Sequence, residues 1–298
     1  MTRDTGRAIV IAGPTASGKS DFSLQIAQQC NGEIINADSV QMYTPVSIGT
    51  AKPDWRNEPI PHHLFDIIDT PTRYDVVRYR EEIARLSAEM AQRDVTPILV
   101  GGSLFYIKSL LYPPHNLPKT GSVPAPVRAL STALLYEHLK TIDADRAAQI
   151  MPTDTYRVQR AVQIWYEHGV KPSTQQPVYQ PLLPLHIIFL CPPLETLYAR
   201  INKRTDIMIH EQGWIDEARR VYKDPVWREF IAQRKFIGYP ELFAWIAKGE
   251  RESELPMVAE KIAQATRHYA KRQRCFWRSF LEQITRDGNG KLVTVEFA

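Results

Sequence analysis

The chain has 298 residues, 44% of them hydrophobic, and a formal net charge of +4. That is enough apolar side chain for one large domain or two smaller ones. Its three cysteines, Cys30, Cys191 and Cys275, lie far apart with no C-x-x-C pair. This excludes a disulfide framework and a zinc site and points to a reducing cytosol. The N-terminus shows no signal-peptide pattern and no apolar run approaches membrane-spanning length, so a cytoplasmic protein without membrane contact is expected.

The apolar run Ala8–Ala12 predicts a buried strand. It leads into Gly13-Pro14-Thr15-Ala16-Ser17-Gly18-Lys19-Ser20, which fits the phosphate-binding loop G-x-x-x-x-G-K-[ST]. Residues 20–30 then read as a helix closed by Asn31-Gly32. In such a strand–loop–helix unit the glycines let backbone N–H groups turn around an anion, and the helix N-terminus adds positive potential. Lys19 is placed to neutralise phosphate oxygens and the Ser20 hydroxyl to serve a Mg²⁺ ion. A bound diphosphate or triphosphate is expected.

Phosphate-loop proteins that hydrolyse nucleotides carry an acidic residue after a second apolar strand. The best later strand, residues 96–100, runs instead into Gly101-Gly102-Ser103. Residues 33–36 form the other candidate and run into Ala37-Asp38-Ser39. Asp38 is therefore the carboxylate at the carboxyl end of an early strand, where open α/β sheets bind ligands. An acid there can assist a metal, act as a general base on an acceptor, or simply close a turn.

Prolines 113, 114, 118, 124 and 126 break one region, and prolines 172, 177, 181 and 184 another. Between them residues 127–139 and 154–168 carry helical patterns, the second ending at Gly169. The expected fold is α/β: a P-loop, NTPase-like parallel sheet flanked by helices, with a small helical insertion. The core occupies 1–112 and 185–298, and the insertion 113–184. Arg200 and Arg204, at i and i+4, follow an apolar strand read at 187–191 and can reach a phosphate at the sheet edge. Arg267, Lys271, Arg274 and Arg278 are spaced 4-3-4, which stacks them on one side of a helix. Val258, Ile262, Ala265, Tyr269 and Phe276 fall on the other side and are expected to face the core. With few acids to pair it, the basic stripe points to an anionic partner, nucleic acid first. Residues 292–297 read as a short edge strand.

Taken together, these motifs resemble the bacterial tRNA dimethylallyltransferases, also called tRNA isopentenyltransferases. The resemblance spans nearly the whole chain. It rests on the phosphate loop, on Ala37-Asp38-Ser39-Val40-Gln41-Met42-Tyr43, and on Ile48-Gly49-Thr50-Ala51-Lys52-Pro53. It continues through His62-His63-Leu64-Phe65-Asp66, Val100-Gly101-Gly102-Ser103 and Arg157-Val158-Gln159-Arg160-Ala161 after Asp154. Arg200-Ile201 with Arg204, Ile237-Gly238-Tyr239, Ala265-Thr266-Arg267 and Tyr269-Ala270-Lys271-Arg272-Gln273 complete it. The sequence departs from the family where Ser103 replaces a common Thr, Val40 a common Arg, and Pro240 a basic residue; the family's usual Trp aligns with Phe276, beside Trp277.

The resemblance implies transfer of a dimethylallyl group from dimethylallyl diphosphate to the exocyclic amine of the adenosine 3′ of the anticodon in tRNA. Diphosphate is then a leaving group, which accounts for the missing hydrolytic acid. By carry-over, Lys19, Arg204 and a Ser20-bound Mg²⁺ stabilise the leaving group. Asp38 matches the family's general base, and Thr15 and Ser103 line the substrate channel. The implied tRNA contacts are Asp38, Ser39, Val40 and Gln41; Tyr156, Arg157, Val158, Gln159 and Arg160; and Lys235, Phe236, Ile237, Gly238 and Tyr239. The insertion and the basic helix stripe would meet the anticodon stem-loop, and a monomer is expected. Two rivals differ in acceptor or class: an adenylate isopentenyltransferase acting on free AMP, ADP or ATP, and a P-loop kinase.

Overall fold

The apolar run at 8–12 forms the middle of a six-stranded sheet in which every pairing is parallel. The structure, a computed structural model, describes residues 7–115, 117–288 and 293–297. The chain runs β1 (Ala8–Ala12), α1 (Lys19–Cys30), β2 (Gly32–Asn36), β3 (His62–His63), α2 (Val76–Gln92), β4 (Thr96–Gly101) and α3 (Leu104–Leu111). Four helices follow: α4 (Ala125–Arg128), α5 (Thr132–Ile142), α6 (Ala144–Ala148) and α7 (Thr155–His168). Then come β5 (Leu185–Phe189), α8 (Leu194–His210), α9 (Trp214–Lys223), α10 (Pro225–Arg234), α11 (Tyr239–Ala247), α12 (Leu255–Asp287) and β6 (Val293–Phe297).

The sheet order is β3-β2-β4-β1-β5-β6. Strand β1 is flanked by β4 and β5, so the loops at the carboxyl ends of β1, β2, β4 and β5 share one edge of the sheet. That edge is where doubly wound sheets bind ligands. Parallel strands covered on both faces read as near-continuous apolar runs, and β1 and β5 do, with only Ile9 and His186 not fully buried; β2 is buried throughout but carries Glu33 and Asn36. One face is filled by Ile11, Ile26, Ile34, Ile98 and Ile188 with Phe65 and Leu190. Among the described residues no helix is long and apolar enough to cross a membrane.

The chain divides into two compact units, residues 1–111 with 179–298, and residues 112–178. The second unit is helical and closes around Leu135, Leu139, Ala147, Ile150, Val158, Ala161 and Val162. Its helices start at side-chain caps: Ser131 accepts from the Leu134 N–H, Asp143 from Arg146, and Asp154 from Arg157.

Three expectations are corrected. The helix read at 127–139 is two helices, because Ser131 caps a new start at Thr132. The strand read at 187–191 begins at Leu185, opposite Ala8, and ends at Phe189 where its partner β1 ends at Ala12. On α12, Phe276 does not face the core but is 55% exposed, while Trp277 is fully buried. The buried stripe of that helix runs Val258, Ile262, Ala270, Gln273, Trp277, Leu281 and Ile284. The edge strand expected at 292–297 is β6, paired in parallel with β5; Leu292 lies outside the described residues.

Candidate active site

The phosphate loop is shaped by its glycines. Gly18 adopts φ 93° and caps α1, whose first residue is Lys19. At Gly13 a Cβ would stand 2.4 Å from the Leu190 carbonyl oxygen, so the exit of β1 passes β5 too closely for a side chain. The Lys19 ammonium donates to the Pro14 carbonyl at 2.8 Å, folding the side chain back along the loop. Ser17 is buried, and its hydroxyl has no partner among the described residues.

Two distant helices grip this loop. The guanidinium of Arg204, on α8, donates to the Thr15 hydroxyl at 2.8 Å. Gln273, on α12, accepts from the Thr15 N–H at 2.8 Å and donates to the Gly102 carbonyl at 3.0 Å. Gln273 therefore bridges the ends of β1 and β4. Arg200, one turn before Arg204, reaches the Ala16 carbonyl at 3.4 Å.

Asp38 follows β2 and is fixed from both sides. The buried Asn36 side chain accepts from the Asp38 N–H at 2.8 Å and donates to the Asp38 carbonyl at 3.1 Å. The Asp38 carboxylate accepts from the Val40 N–H at 3.0 Å, so the turn role and a site role coexist in one side chain. Next to it, the Ser39 N–H donates to the Ser103 hydroxyl at 3.0 Å. Gly101 lies so close to this segment that a Cβ would meet the Ala37 carbonyl oxygen at 2.2 Å.

These pieces wall a cavity of about 810 Å³ in the first unit. Thr15, Ala16, Gly18, Lys19 and Ser20 line it, with Asp38, Ser39, Val40 and Gln41. Arg200, Arg204, Thr205 and Met208 come from α8, and Thr266, Tyr269 and Gln273 from one face of α12. Gly49, Trp214, Phe236, Ile237 and Tyr239 form a further wall. Burial pushes the Lys19 ammonium down to about 8, opposed by Asp38 and reinforced by Arg204. Burial likewise raises the Asp38 carboxyl, against the N–H donors of Val40 and Gln41 and the charges of Lys19 and Arg204. Arg204 is lowered by burial and supported by Asp38. One carboxylate and two cations thus face each other in a partly desolvated space, which strengthens every charge interaction there. That pattern of mutually perturbed groups in a cleft marks a functional site.

Ser20 lines the cavity from the first exposed turn of α1, with Asp21 beside it. Among the described residues no cluster of three His, Cys, Asp or Glu side chains is placed to hold a metal. The Ser20 hydroxyl is the side chain here that would hold a Mg²⁺ ion, with phosphate oxygens and water completing its shell.

Other expected residues sit differently. Ser103 does not line the cavity; its hydroxyl is spent one layer behind, on Ser39. Gly13, Pro14 and Ser17 shape the loop without lining the cavity. Val158 is fully buried in the core of the second unit, leaving Tyr156, Arg157, Gln159 and Arg160 as the exposed part of that segment. Lys235 is exposed, whereas Tyr239 is fully buried with its hydroxyl on Glu217. On the basic stripe Lys271 and Arg278 are exposed, but Arg267 is paired with Glu260 at 2.7 Å and with Asn202 at 2.6 Å. Asn36, Glu217 and Gln273 were not anticipated. Gln273 and Glu217 each stand as a polar residue inside an apolar helical stripe, a pattern visible in the sequence.

Residues 41–280 match the family model described as IPP transferase. The chain belongs to the IPP transferase family. Its phosphate loop precedes the matched stretch, and the basic stripe of α12 falls inside it. The chain is 37% identical over 282 residues to the tRNA dimethylallyltransferase of Anoxybacillus flavithermus, covering 92% of this chain and 88% of that protein. It is 34% identical over 277 residues to the tRNA dimethylallyltransferase of Rhodococcus jostii, covering 91% and 88%. Among IPP transferase structures, it is similar to the full-length tRNA isopentenylpyrophosphate transferase of Bacillus halodurans, with a TM-score of 0.65, 30% identity and coverage of 98% of this chain and 90% of that one. A eukaryotic dimethylallyltransferase seen acting on tRNA superposes with a TM-score of 0.79 at 28% identity, covering 98% of this chain and 74% of that one.

Proposed function

We propose that this chain transfers a dimethylallyl group from dimethylallyl diphosphate to the N6 amine of the adenosine 3′-adjacent to the anticodon in tRNA, releasing diphosphate. The observation that carries the reading is the meeting of Asp38 with Lys19 and Arg204 on one cavity, in a chain whose relatives are named tRNA dimethylallyltransferase. The phosphate loop and Arg204 hold the diphosphate, and Asp38 addresses the acceptor. The carbon–oxygen bond to diphosphate breaks, the N6–carbon bond forms, and an N6 proton passes to the Asp38 carboxylate. Charge gathers on the departing diphosphate, where Lys19 and Arg204 neutralise it. A Mg²⁺ ion held by Ser20 supplies further charge neutralisation at the diphosphate when bound.

Adenine reaches such a cavity only when it leaves its stack in the anticodon loop, at a cost of a few kcal/mol. Binding of the stem-loop offsets this through phosphate contacts on the basic face of α12 and exposed side chains such as Tyr156, Arg157, Arg160 and Lys235. The reaction belongs in the cytoplasm with its tRNA substrate, and the protein acts on it as a monomer.

The test is incubation of the protein with Mg²⁺, labelled dimethylallyl diphosphate and an anticodon stem-loop, with AMP as a parallel acceptor. Label on the stem-loop alone is the expected result. Label on AMP alone indicates an adenylate prenyltransferase, and label on neither removes prenyl transfer.

A further inference from the structure

Helix α9 buries Trp214, Glu217, Ala218 and Val221 on one face. A carboxylate at the centre of such a stripe is costly unless its oxygens are hydrogen-bonded. Glu217, 3% exposed, is bonded four times. Its Oε2 accepts from the Ser47 N–H at 2.8 Å and the Ile48 N–H at 2.9 Å. Its Oε1 accepts from the Gly49 N–H at 3.0 Å and the Tyr239 hydroxyl at 2.6 Å. The charge of Glu217 is also felt by the Lys52 ammonium, whose partner is Asp66.

Those bonds join two walls of the cavity that lie at least 168 residues apart in sequence. Gly49, Trp214 and Tyr239 all line the cavity. The junction has no slack: a Cβ on Gly49 would stand 2.1 Å from Trp214 Nε1, and one on Gly238 2.3 Å from Trp214 Cη2. Beyond Gly49 the Thr50 and Ala51 carbonyls accept from the Gln41 side chain at 3.0 and 3.1 Å. Gln41 ends the segment that begins at Asp38 and donates its own N–H toward the Asp38 carboxylate. A continuous path therefore runs from Glu217 through residues 47–51 to Gln41 and Asp38. None of its bonds touches the phosphate loop.

We propose that Glu217 is a positioning residue for the acceptor side of the cavity: its carboxylate locks residues 47–51 and Tyr239 together, and so holds the 38–41 segment where the incoming adenine must lie. This deepens the transfer reading and rests on it. Four donors converge on its two oxygens, and three of them are backbone N–H groups with nothing to accept. An amide would turn N–H groups toward N–H groups on one side.

The test compares Glu217→Gln and Tyr239→Phe with the wild-type chain. Three quantities are measured: kcat and KM for the anticodon stem-loop at saturating dimethylallyl diphosphate, the Kd for inorganic diphosphate, and the unfolding temperature. E217Q is expected to lose about 10- to 100-fold in kcat/KM for the stem-loop, as small misplacements do, with diphosphate Kd within about twofold of wild type. Y239F, which removes one of the four bonds, is expected to fall between. A folded E217Q with wild-type kcat/KM overturns the proposal, as does a parallel loss of diphosphate affinity. Should E217Q not fold, Y239F decides, and wild-type kinetics in it overturn the proposal. Were the wild-type chain itself inactive on the stem-loop, the transfer reading would fail separately. Amide exchange then decides the clamp: faster exchange at Ser47, Ile48 and Gly49 in E217Q or Y239F, with Thr15 unchanged, supports it, and unchanged exchange overturns it.

Discussion

The Arg204 guanidinium donates to the Thr15 hydroxyl over 2.8 Å and so joins α8 to the phosphate loop across 189 residues of sequence. Its Nε is buried without a partner among the described residues, while the side chain lines the cavity beside the phosphate loop. On the proposed reaction, Arg204→Ala lowers kcat on a stem-loop by about 10²–10³-fold, the usual cost of one preorganised donor at a developing charge. Steady-state kinetics check this, and a kcat within threefold of wild type removes Arg204 from leaving-group stabilisation.

Gln273 satisfies the Thr15 N–H and the Gly102 carbonyl with one amide. Gln273→Leu keeps the volume but strands both groups in a buried place. The expected loss of folding stability is about 1–3 kcal/mol, read from the midpoint of urea unfolding. Gly102→Ala should act through the same bridge, since its Cβ would stand 2.3 Å from the Gln273 amide nitrogen.

The two titrating groups of the cavity set opposite limbs of a pH profile. Asp38, raised by burial, is a base only once deprotonated, so kcat/KM climbs with pH through a point raised from the ordinary aspartate value. Lys19, lowered to about 8, loses its charge above that pH in the free protein, so kcat/KM falls again. A bell with its alkaline limb near pH 8 is expected. Diphosphate Kd should rise over the same alkaline limb in the wild-type chain and not in Lys19→Met. Stability moves the other way: between about 8 and the ordinary value of 10.5, the unfolded chain holds the Lys19 proton that the folded chain has lost. Folding stability attributable to Lys19 therefore increases with pH across that window. A flat alkaline limb in the wild-type profile contradicts the role given to Lys19.

On α12 the exposed cations are the ones placed to meet phosphates. Lys271→Ala with Arg278→Ala should weaken stem-loop binding and flatten its salt dependence by about two, while diphosphate Kd stays unchanged. Arg267→Ala should do less, because Arg267 is already engaged by Glu260 and Asn202. Filter binding at several salt concentrations measures both, and an unaltered slope in the double variant returns the stripe to a solvated helix face.

Much of the site was legible because its parts are local. The phosphate loop, Asp38 at a strand end and the Arg200–Arg204 pair each announce themselves within a few residues. What stayed hidden is long-range. Gln273 meets Thr15, and Glu217 meets Gly49, at separations of 258 and 168 residues, and no local pattern encodes such pairings. Their signal was indirect: a polar residue at a position where the helical repeat calls for an apolar one. Phe276 was misplaced for a related reason. Phe276 lies about five full turns after Val258 and so on the same edge of the helix, whereas the buried stripe is centred further round, at Gln273 and Trp277. The break at Ser131 was a cap signal inside an otherwise continuous apolar pattern, and the two-residue strand β3 is too short for any periodicity to show.

The central claim is that Asp38 acts on the acceptor while Lys19 and Arg204 hold the diphosphate. Its most direct test is single-turnover transfer to the anticodon stem-loop by Asp38→Asn and Asp38→Ala, with diphosphate Kd measured on the same preparations. Transfer slowed by about 10²–10⁴-fold with diphosphate binding retained is the predicted result. Transfer at the wild-type rate in either folded variant would contradict it.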